Sequence, residues 1–92
     1  MIKSFRCTDT RVLFETGKSR RWSSVLDVAT RKLTQLDAAV TLGALKSPPG
    51  NRLEALRGNR TGQHSIRVND QWRVCFVWRE DGAHDVQIVD YH

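Results

Sequence analysis

Residues 63–78, QHSIRVNDQWRVCFVW, decide how this chain folds. Polar and apolar side chains alternate over 63–68 and again over 72–78, which is the pattern of half-buried β-strands. Asn69, Asp70 and Gln71 between them are turn formers, so the stretch predicts an antiparallel hairpin. The side chains of the second strand alternate between two faces of the sheet. One face carries Trp72, Val74, Phe76 and Trp78, and the other carries Arg73, Cys75, Val77 and Arg79. We expect the first set in the core, with base stacking as the alternative for its two tryptophans.

Around this hairpin the sequence predicts an α+β fold. Residues 53–57 and 85–91 read as further strands, the latter after an Asp81-Gly82 turn, and residues 2–7 read as an N-terminal strand. A brief helix starts at Asp9 or Thr10 and ends near Gly17. Apolar residues at helical spacing predict an amphipathic helix over 24–40 with Ser24 in its cap. Strands that follow helices in this order indicate a mainly antiparallel sheet with helices packed on one face.

Length and composition indicate one domain over residues 1–92. Two cysteines are too few for a disulfide framework, and no apolar run has the length of a membrane span, so we expect a cytoplasmic protein. The net charge is +5, and eleven of the fifteen basic residues are arginine. Arginine binds phosphate bidentately and stacks on bases, so the surplus favours a nucleic-acid partner. An inert basic surface and an acidic protein partner are the alternatives.

The candidate functional residues are arginines and a group at the C-terminus. Arg67, Arg73 and Arg79 are predicted on the outer face of the sheet, and the loop around residues 57–60 is predicted to bring Arg57 and Arg60 opposite it. The residues expected to bind RNA are Arg52, Arg60, Arg67 and Arg79. The terminal strand is predicted to bring Asp90, Tyr91 and His92 to the same sheet. For Arg73 the alternative is a surface salt bridge to Glu54 or Asp90, and for Glu54 it is a solvated side chain rather than a general base.

The residue types point to RNA as a substrate. The sequence contains no metal-ligand spacing, no glycine-rich phosphate loop and no serine or cysteine nucleophile pattern, so we expect no metal or cofactor. RNA carries its own nucleophile, the 2′-hydroxyl. The protein then needs only to assist proton transfer and to stabilise charge on the phosphate.

Four segments together resemble a known family, namely residues 1–5, 48–56, 58–73 and the ending Ile88-Val89-Asp90-Tyr91-His92. They are similar to the HigB toxins of bacterial type II toxin–antitoxin systems, which belong to the RelE superfamily. The resemblance implies a small antiparallel sheet carrying two helices, and a ribosome-dependent endoribonuclease that cuts mRNA. It also implies inhibition by a helix-turn-helix antitoxin of the HigA type, through which alone the toxin meets operator DNA.

The resemblance also implies site residues. A C-terminal Asp-Tyr-His of the family matches Asp90, Tyr91 and His92, and a sheet arginine matches Arg73. Some relatives have a histidine and a lysine where this chain has Glu54 and Arg57. We therefore expect Arg57 and Arg73 to hold the scissile phosphate, Glu54, Tyr91 or His92 to act as the base, and His92 to protonate the leaving oxygen. The main alternative is a binding module that occludes the ribosome or docks the antitoxin without cutting. A DNA-binding regulator is a third class, without a recognition-helix pattern to support it.

Overall fold

The computed structural model describes residues 1–90, which form two helices and a four-stranded sheet. Helix α1 spans Thr8–Thr16 and α2 spans Leu26–Ala38. The strands are β1 (Glu54–Ala55), β2 (His64–Arg67), β3 (Trp72–Arg79) and β4 (Gly82–Asp90), in the spatial order β1-β2-β3-β4. All neighbouring strands are antiparallel, so the predicted α+β fold is confirmed.

The predicted hairpin over 63–78 forms with a side-chain-supported turn. The Asn69 carboxamide oxygen accepts hydrogen bonds from the backbone N–H groups of Gln71 and Trp72, at 2.9 and 2.8 Å. This is the local hydrogen bonding that makes asparagine a turn residue. Strand β3 consequently lies between β2 and β4 and is one of the two inner strands.

The hydrophobic core lies between the helices and one face of the sheet. It includes Leu13 of α1, Leu33 and Leu36 of α2, and Val74 and Phe76 of β3, all without solvent exposure. Trp72 and Trp78 pack against this core, as the alternation along β3 predicts. Arg73 and Cys75 consequently occupy the opposite face, which we call the open face.

Several boundaries differ from the sequence prediction. Helix α1 begins at Thr8, earlier than Asp9, and ends as predicted at Gly17, whose φ of 71° is left-handed. Helix α2 is preceded by a 3-10 turn over Ser23–Val25, and no side chain caps α2. The predicted N-terminal strand is reduced to two parallel bridges to β4, Ile2 to Ala83 and Phe5 to Val86.

Strand β4 contains a bulge that the alternation pattern does not predict. Cys75 pairs with Gln87 and Val77 with His84, so two residues, Asp85 and Val86, lie opposite the single residue Phe76. Asp85 has a φ of 53°, and the extra residue keeps both Ala83 and Val86 in the core although they are three positions apart.

Neither α1 nor α2, nor any other helical segment within residues 1–90, has the length and apolar composition of a membrane-spanning helix.

Candidate functional site

Arg73 is the most firmly held polar side chain of the open face. It is 9% exposed, and its Nε donates a 2.7 Å hydrogen bond to the Ser65 hydroxyl. Its Nη2 donates to the backbone carbonyl of Arg52 at 2.6 Å and to that of Ser65 at 3.3 Å. The Glu54 carboxylate lies 3.6 Å from Nε. Because a buried guanidinium must be paired or fully hydrogen-bonded, these contacts fix its position.

An open cleft of about 540 Å³ adjoins Arg73, and we call it the arginine cleft. Its lining residues are Gly50, Arg52, Glu54, Arg67, Asn69, Asp70 and Arg73. Arg67 and Arg73 stand directly opposite each other on β2 and β3, which is unfavourable for like charges. Each has an acidic neighbour that offsets this repulsion, because Arg67 forms a salt bridge with Asp70 and Arg73 with Glu54.

Asn51 anchors the backbone that carries one wall of the arginine cleft. This residue has no solvent exposure, and its Nδ2 donates to the carbonyls of Leu45 and Ser47, at 3.1 and 3.3 Å, and to Gln35 Oε1 at 3.2 Å. Its Oδ1 accepts from the ammonium group of the buried Lys32 on α2. The next residue is Arg52, so this network holds the carbonyl to which Arg73 donates.

Lys32 adds a positive charge behind the cleft. Burial lowers the pKa of this lysine from its ordinary value, and the charges of Arg31 and Arg67 lower that pKa further. A charge on Lys32 is therefore costly at this position, and Asn51 is the neutral acceptor that offsets part of that cost.

The structure brings together only part of the predicted arginine set. Arg52, Glu54, Arg67 and Arg73 share the arginine cleft. Arg79 does not, because six residues of extended strand place it roughly 20 Å from Arg73 at about 3.3 Å per residue.

Arg57 is predicted to act with Arg73, and this role stays a prediction. Arg57 is exposed, immediately before the 3-10 turn Gly58–Arg60, and it is not among the residues that line the arginine cleft. The extended chain after β1 alternates, so Arg57 takes the side opposite Glu54.

Arg60 lines a second cleft on the open face, of about 310 Å³, together with Arg6, Asn59, Gln63 and Gln87; we call it the amide cleft. Cys75 pairs with Ser65 on one side and with Gln87 of the amide cleft on the other. Burial raises the pKa of its thiol, and the charges of Arg60 and Arg73 oppose this effect only in part. Cys75 is fully buried and stays protonated at neutral pH, so it is no nucleophile.

The C-terminal residues are only partly described. Asp90 pairs with Trp72, whose side chain packs on the core side, so alternation places Asp90 on that side and away from the open face. Its carboxylate accepts a 3.1 Å hydrogen bond from the Gln71 side chain. Its neighbour Val89 is the residue that pairs with Arg73. Tyr91 and His92, both predicted site residues, lie outside the described residues.

Sequence reasoning did not single out several residues that shape these clefts. Ser65 was not singled out, although the hairpin register places it next to Cys75 and two positions from Arg67. Asn51 and Lys32 are 19 positions apart and meet only because the 47–52 segment folds onto α2. Arg6 reaches the open face through the parallel bridge of its neighbour Phe5 to β4, for which the local sequence carries no signal.

Comparisons with known proteins agree on one family. The family model described as RelE-like toxin of the type II toxin–antitoxin system HigB matches residues 3–92. Toxin HigB-1 of Vibrio cholerae is 52% identical over 67 residues, which cover 71% of this chain and 70% of that protein. Endoribonuclease HigB of Proteus vulgaris is 33% identical over an alignment of 93 positions that covers both proteins completely.

Solved structures show the same fold at low sequence identity. A variant of YafQ from Escherichia coli superposes with a TM-score of 0.60 at 13% identity, covering 98% of this chain and 91% of that one. A YoeB dimer from Staphylococcus aureus gives 0.59 at 19% identity, covering 99% and 94%. A YoeB–YefM complex from the same species gives 0.57 at 14% identity, covering 100% and 98%. From the full-length family match and the HigB relatives, this chain is a member of the HigB family of RelE-like toxins of type II toxin–antitoxin systems.

Proposed function

We propose that this toxin is an endoribonuclease that cuts mRNA on the ribosome. The observation that carries the proposal is Arg73, a cation held by four contacts beside the Glu54 carboxylate in an arginine-lined cleft. Such a preorganised charge can stabilise the negative charge that develops on a phosphate under attack. The full-length similarity to a protein named Endoribonuclease HigB supports the same activity.

The proposed reaction uses the 2′-hydroxyl of the RNA as the nucleophile. A base removes its proton, the 2′-oxygen bonds to phosphorus, and the bond from phosphorus to the 5′-oxygen breaks as that oxygen gains a proton. The products are a 2′,3′-cyclic phosphate and a 5′-hydroxyl end. A general acid and a general base each contribute typically ~10²–10⁴-fold to such a reaction.

The arginine cleft supports a role for two further arginines in binding the scissile phosphate. Arg52 and Arg67 are proposed to act with Arg73, because these three line one cleft. The role of Arg57 in holding the phosphate rests on the sequence and the family resemblance alone. Glu54 is the described carboxylate nearest to Arg73 and is one candidate base. Tyr91 and His92 remain candidates from the family resemblance, and His92 is assigned the protonation of the leaving 5′-oxygen.

We further propose that a HigA-like helix-turn-helix antitoxin inhibits the toxin. Membership of a toxin–antitoxin family supports an antitoxin partner, as does the similarity to a solved YoeB–YefM complex. Action on ribosomes places the protein in the cytoplasm. Operator DNA enters only through the antitoxin.

The experiment is ribosome-dependent cleavage of a defined mRNA, with the new 5′ ends mapped. Wild type is expected to generate 5′-hydroxyl ends inside the reading frame. His92→Ala is expected to lower the single-turnover rate by roughly two decades without a change in melting temperature. Glu54→Gln is expected to lower it as well and to remove one limb of the pH–rate profile, if Glu54 is the base.

The matched control is Arg31→Gln, an exposed position on α2 that lies outside the open face. This variant is expected to cleave at the wild-type rate. Stalled ribosomes carrying intact mRNA would refute cleavage and favour an occluding binding module. A wild-type rate in His92→Ala would remove His92 from the mechanism.

A further inference from the structure

The amide cleft has a different chemistry from the arginine cleft. Its five lining residues are two arginines and three carboxamides, whereas the arginine cleft includes Glu54 and Asp70. Among residues 1–90, neither Arg6 nor Arg60 forms a salt bridge with a carboxylate. The positive charge of this cleft is therefore available to a ligand.

The two clefts lie on one face of the sheet. Gln87 pairs with Cys75, and Arg73 pairs with Val89, so Gln87 is the diagonal neighbour of Arg73 across β3 and β4. Such diagonal neighbours are about 7–8 Å apart. Gln63 precedes β2 and alternates onto the side of Ser65. Arg6 follows Phe5, which is partly buried against the core, so Arg6 takes the other side. A strand of RNA at Arg73 can thus reach the amide cleft with its next nucleotide.

The side chains of the amide cleft suit one nucleotide. An arginine guanidinium can donate two parallel hydrogen bonds to phosphate oxygens. The carboxamides of glutamine and asparagine can form paired hydrogen bonds with the edge of a base. Arg60 Nη1 donates a 3.3 Å hydrogen bond to Gln63 Oε1, which orients this carboxamide. Single-stranded RNA exposes its base edges to such groups.

We propose that the amide cleft binds the nucleotide adjacent to the scissile phosphate, with Arg6 and Arg60 on its phosphate and Gln63 and Gln87 on its base. The inference rests on the proposed endoribonuclease function and adds a subsite that sets sequence preference. Its carboxamides favour RNA over an acidic protein segment, which offers no base edge to read.

The test uses two kinds of variant in the full chain. The double variant Arg6→Gln/Arg60→Gln is compared with the control double variant Arg11→Gln/Arg31→Gln. The control also removes two positive charges, but from exposed positions of α1 and α2. We expect the first pair to raise KM for ribosome-bound mRNA roughly 10- to 100-fold. The control pair is expected to keep the wild-type KM, and melting temperatures verify folding of both.

Gln63→Ala and Gln87→Ala test base reading. In cut sites mapped across a transcript population, the nucleotide preference at one position beside the cut should weaken by roughly tenfold. The preference at the other positions should stay unchanged. A structural defect would lower all cleavage without changing the pattern at a single position. An unchanged pattern together with unchanged KM in the arginine pair would overturn the subsite while leaving the cleavage function standing.

Direct binding separates the subsite from the proposed function. If wild type fails to cleave, equilibrium binding of an unstructured eight-nucleotide RNA is measured for the two double variants. Weaker binding by Arg6→Gln/Arg60→Gln alone supports a nucleotide site, and equal binding refutes it. Loss of affinity for a co-expressed HigA-like antitoxin, with RNA binding intact, would refute it in favour of a protein contact.

Discussion

The Nη2 atom of Arg73 donates a 2.6 Å hydrogen bond to the backbone carbonyl oxygen of Arg52. Arg73 lies on an inner strand, and Arg52 lies in the segment that Asn51 fastens to α2. The bond therefore couples the open face of the sheet to the helix layer. The position of the Arg73 guanidinium therefore depends on the backbone of Arg52 and not on the Arg52 side chain.

Arg73→Lys is expected to lower mRNA cleavage by roughly a hundredfold, although the charge is kept. An ammonium group cannot make the same fork of bonds to the Ser65 hydroxyl and the Arg52 carbonyl, so the cation loses its fixed position. The single-turnover rate on ribosomes measures the effect. Arg79→Lys is the matched control, because Arg79 is exposed at the far end of β3. Equal losses in the two variants would contradict the proposed role of Arg73.

The variant Arg52→Gly is expected to separate the effect of the Arg52 charge on cleavage from the effect of its backbone conformation on stability. Arg52 has a φ of 45°, which costs a non-glycine residue roughly 1–2 kcal/mol, and glycine relieves this cost while keeping the carbonyl. We expect a free energy of unfolding equal to wild type or higher, by up to about 1 kcal/mol. Cleavage should still fall about tenfold, because one phosphate-binding cation is gone. Urea denaturation and cleavage rates measure the two effects. Unchanged cleavage would exclude the Arg52 side chain from substrate binding.

Asn51→Ala is expected to destabilise the fold by about 2–3 kcal/mol. The change removes the acceptor of the buried Lys32 ammonium and the donor to the Leu45 and Ser47 carbonyls. Gln35→Ala, which breaks only one contact of Asn51, is the control and should cost less than about 1 kcal/mol. Denaturant titration measures both. Similar values for the two variants would show that the Lys32 contact contributes little.

The contribution of Lys32 to stability is expected to rise with pH in the alkaline range. Its pKa in the folded protein lies below the ordinary value of 10.5, so between these two values the unfolded chain binds more protons than the folded chain. Stability increases with pH wherever this holds, and the gain ends above the unfolded pKa. The free energy of unfolding of wild type minus that of Lys32→Met, measured from pH 7 upward, isolates this group. A difference independent of pH up to 10.5 would contradict the lowered pKa.

The local pattern of the sequence was enough to predict the faces of β3 and the hairpin that carries Arg73. Strand alternation is a covalent property of extended chain, so Trp72 and Arg73 necessarily take opposite sides. The turn at Asn69 was also predictable, because its side chain bonds to its own backbone two and three residues on. The bulge at Asp85 was not predictable, since it results from keeping Ala83 and Val86 in one core.

Membership of the arginine cleft followed from the sequence only in part. Arg67 and Arg73 face each other through hairpin register, which local pairing determines. The predicted role of Arg57 beside Arg73 stays a prediction, since Arg57 is not among the residues that line the arginine cleft and the course of the chain after β1 depends on packing. Arg79 lies outside this cleft, because residues on one face of a strand can still be far apart along it.

The sequence by itself determined the α+β class, the HigB family and the presence of Arg73 on the face of the sheet opposite Trp72 and the core. These depend on local periodicity and on residue identity, which the chain carries without folding. The tertiary structure alone decided what holds that arginine, namely the Arg52 carbonyl fastened through Asn51 to Lys32, and which residues form the second cleft. The physical reason is that these contacts join segments distant in the chain, and only the packing of the helices on the sheet brings them within hydrogen-bonding distance.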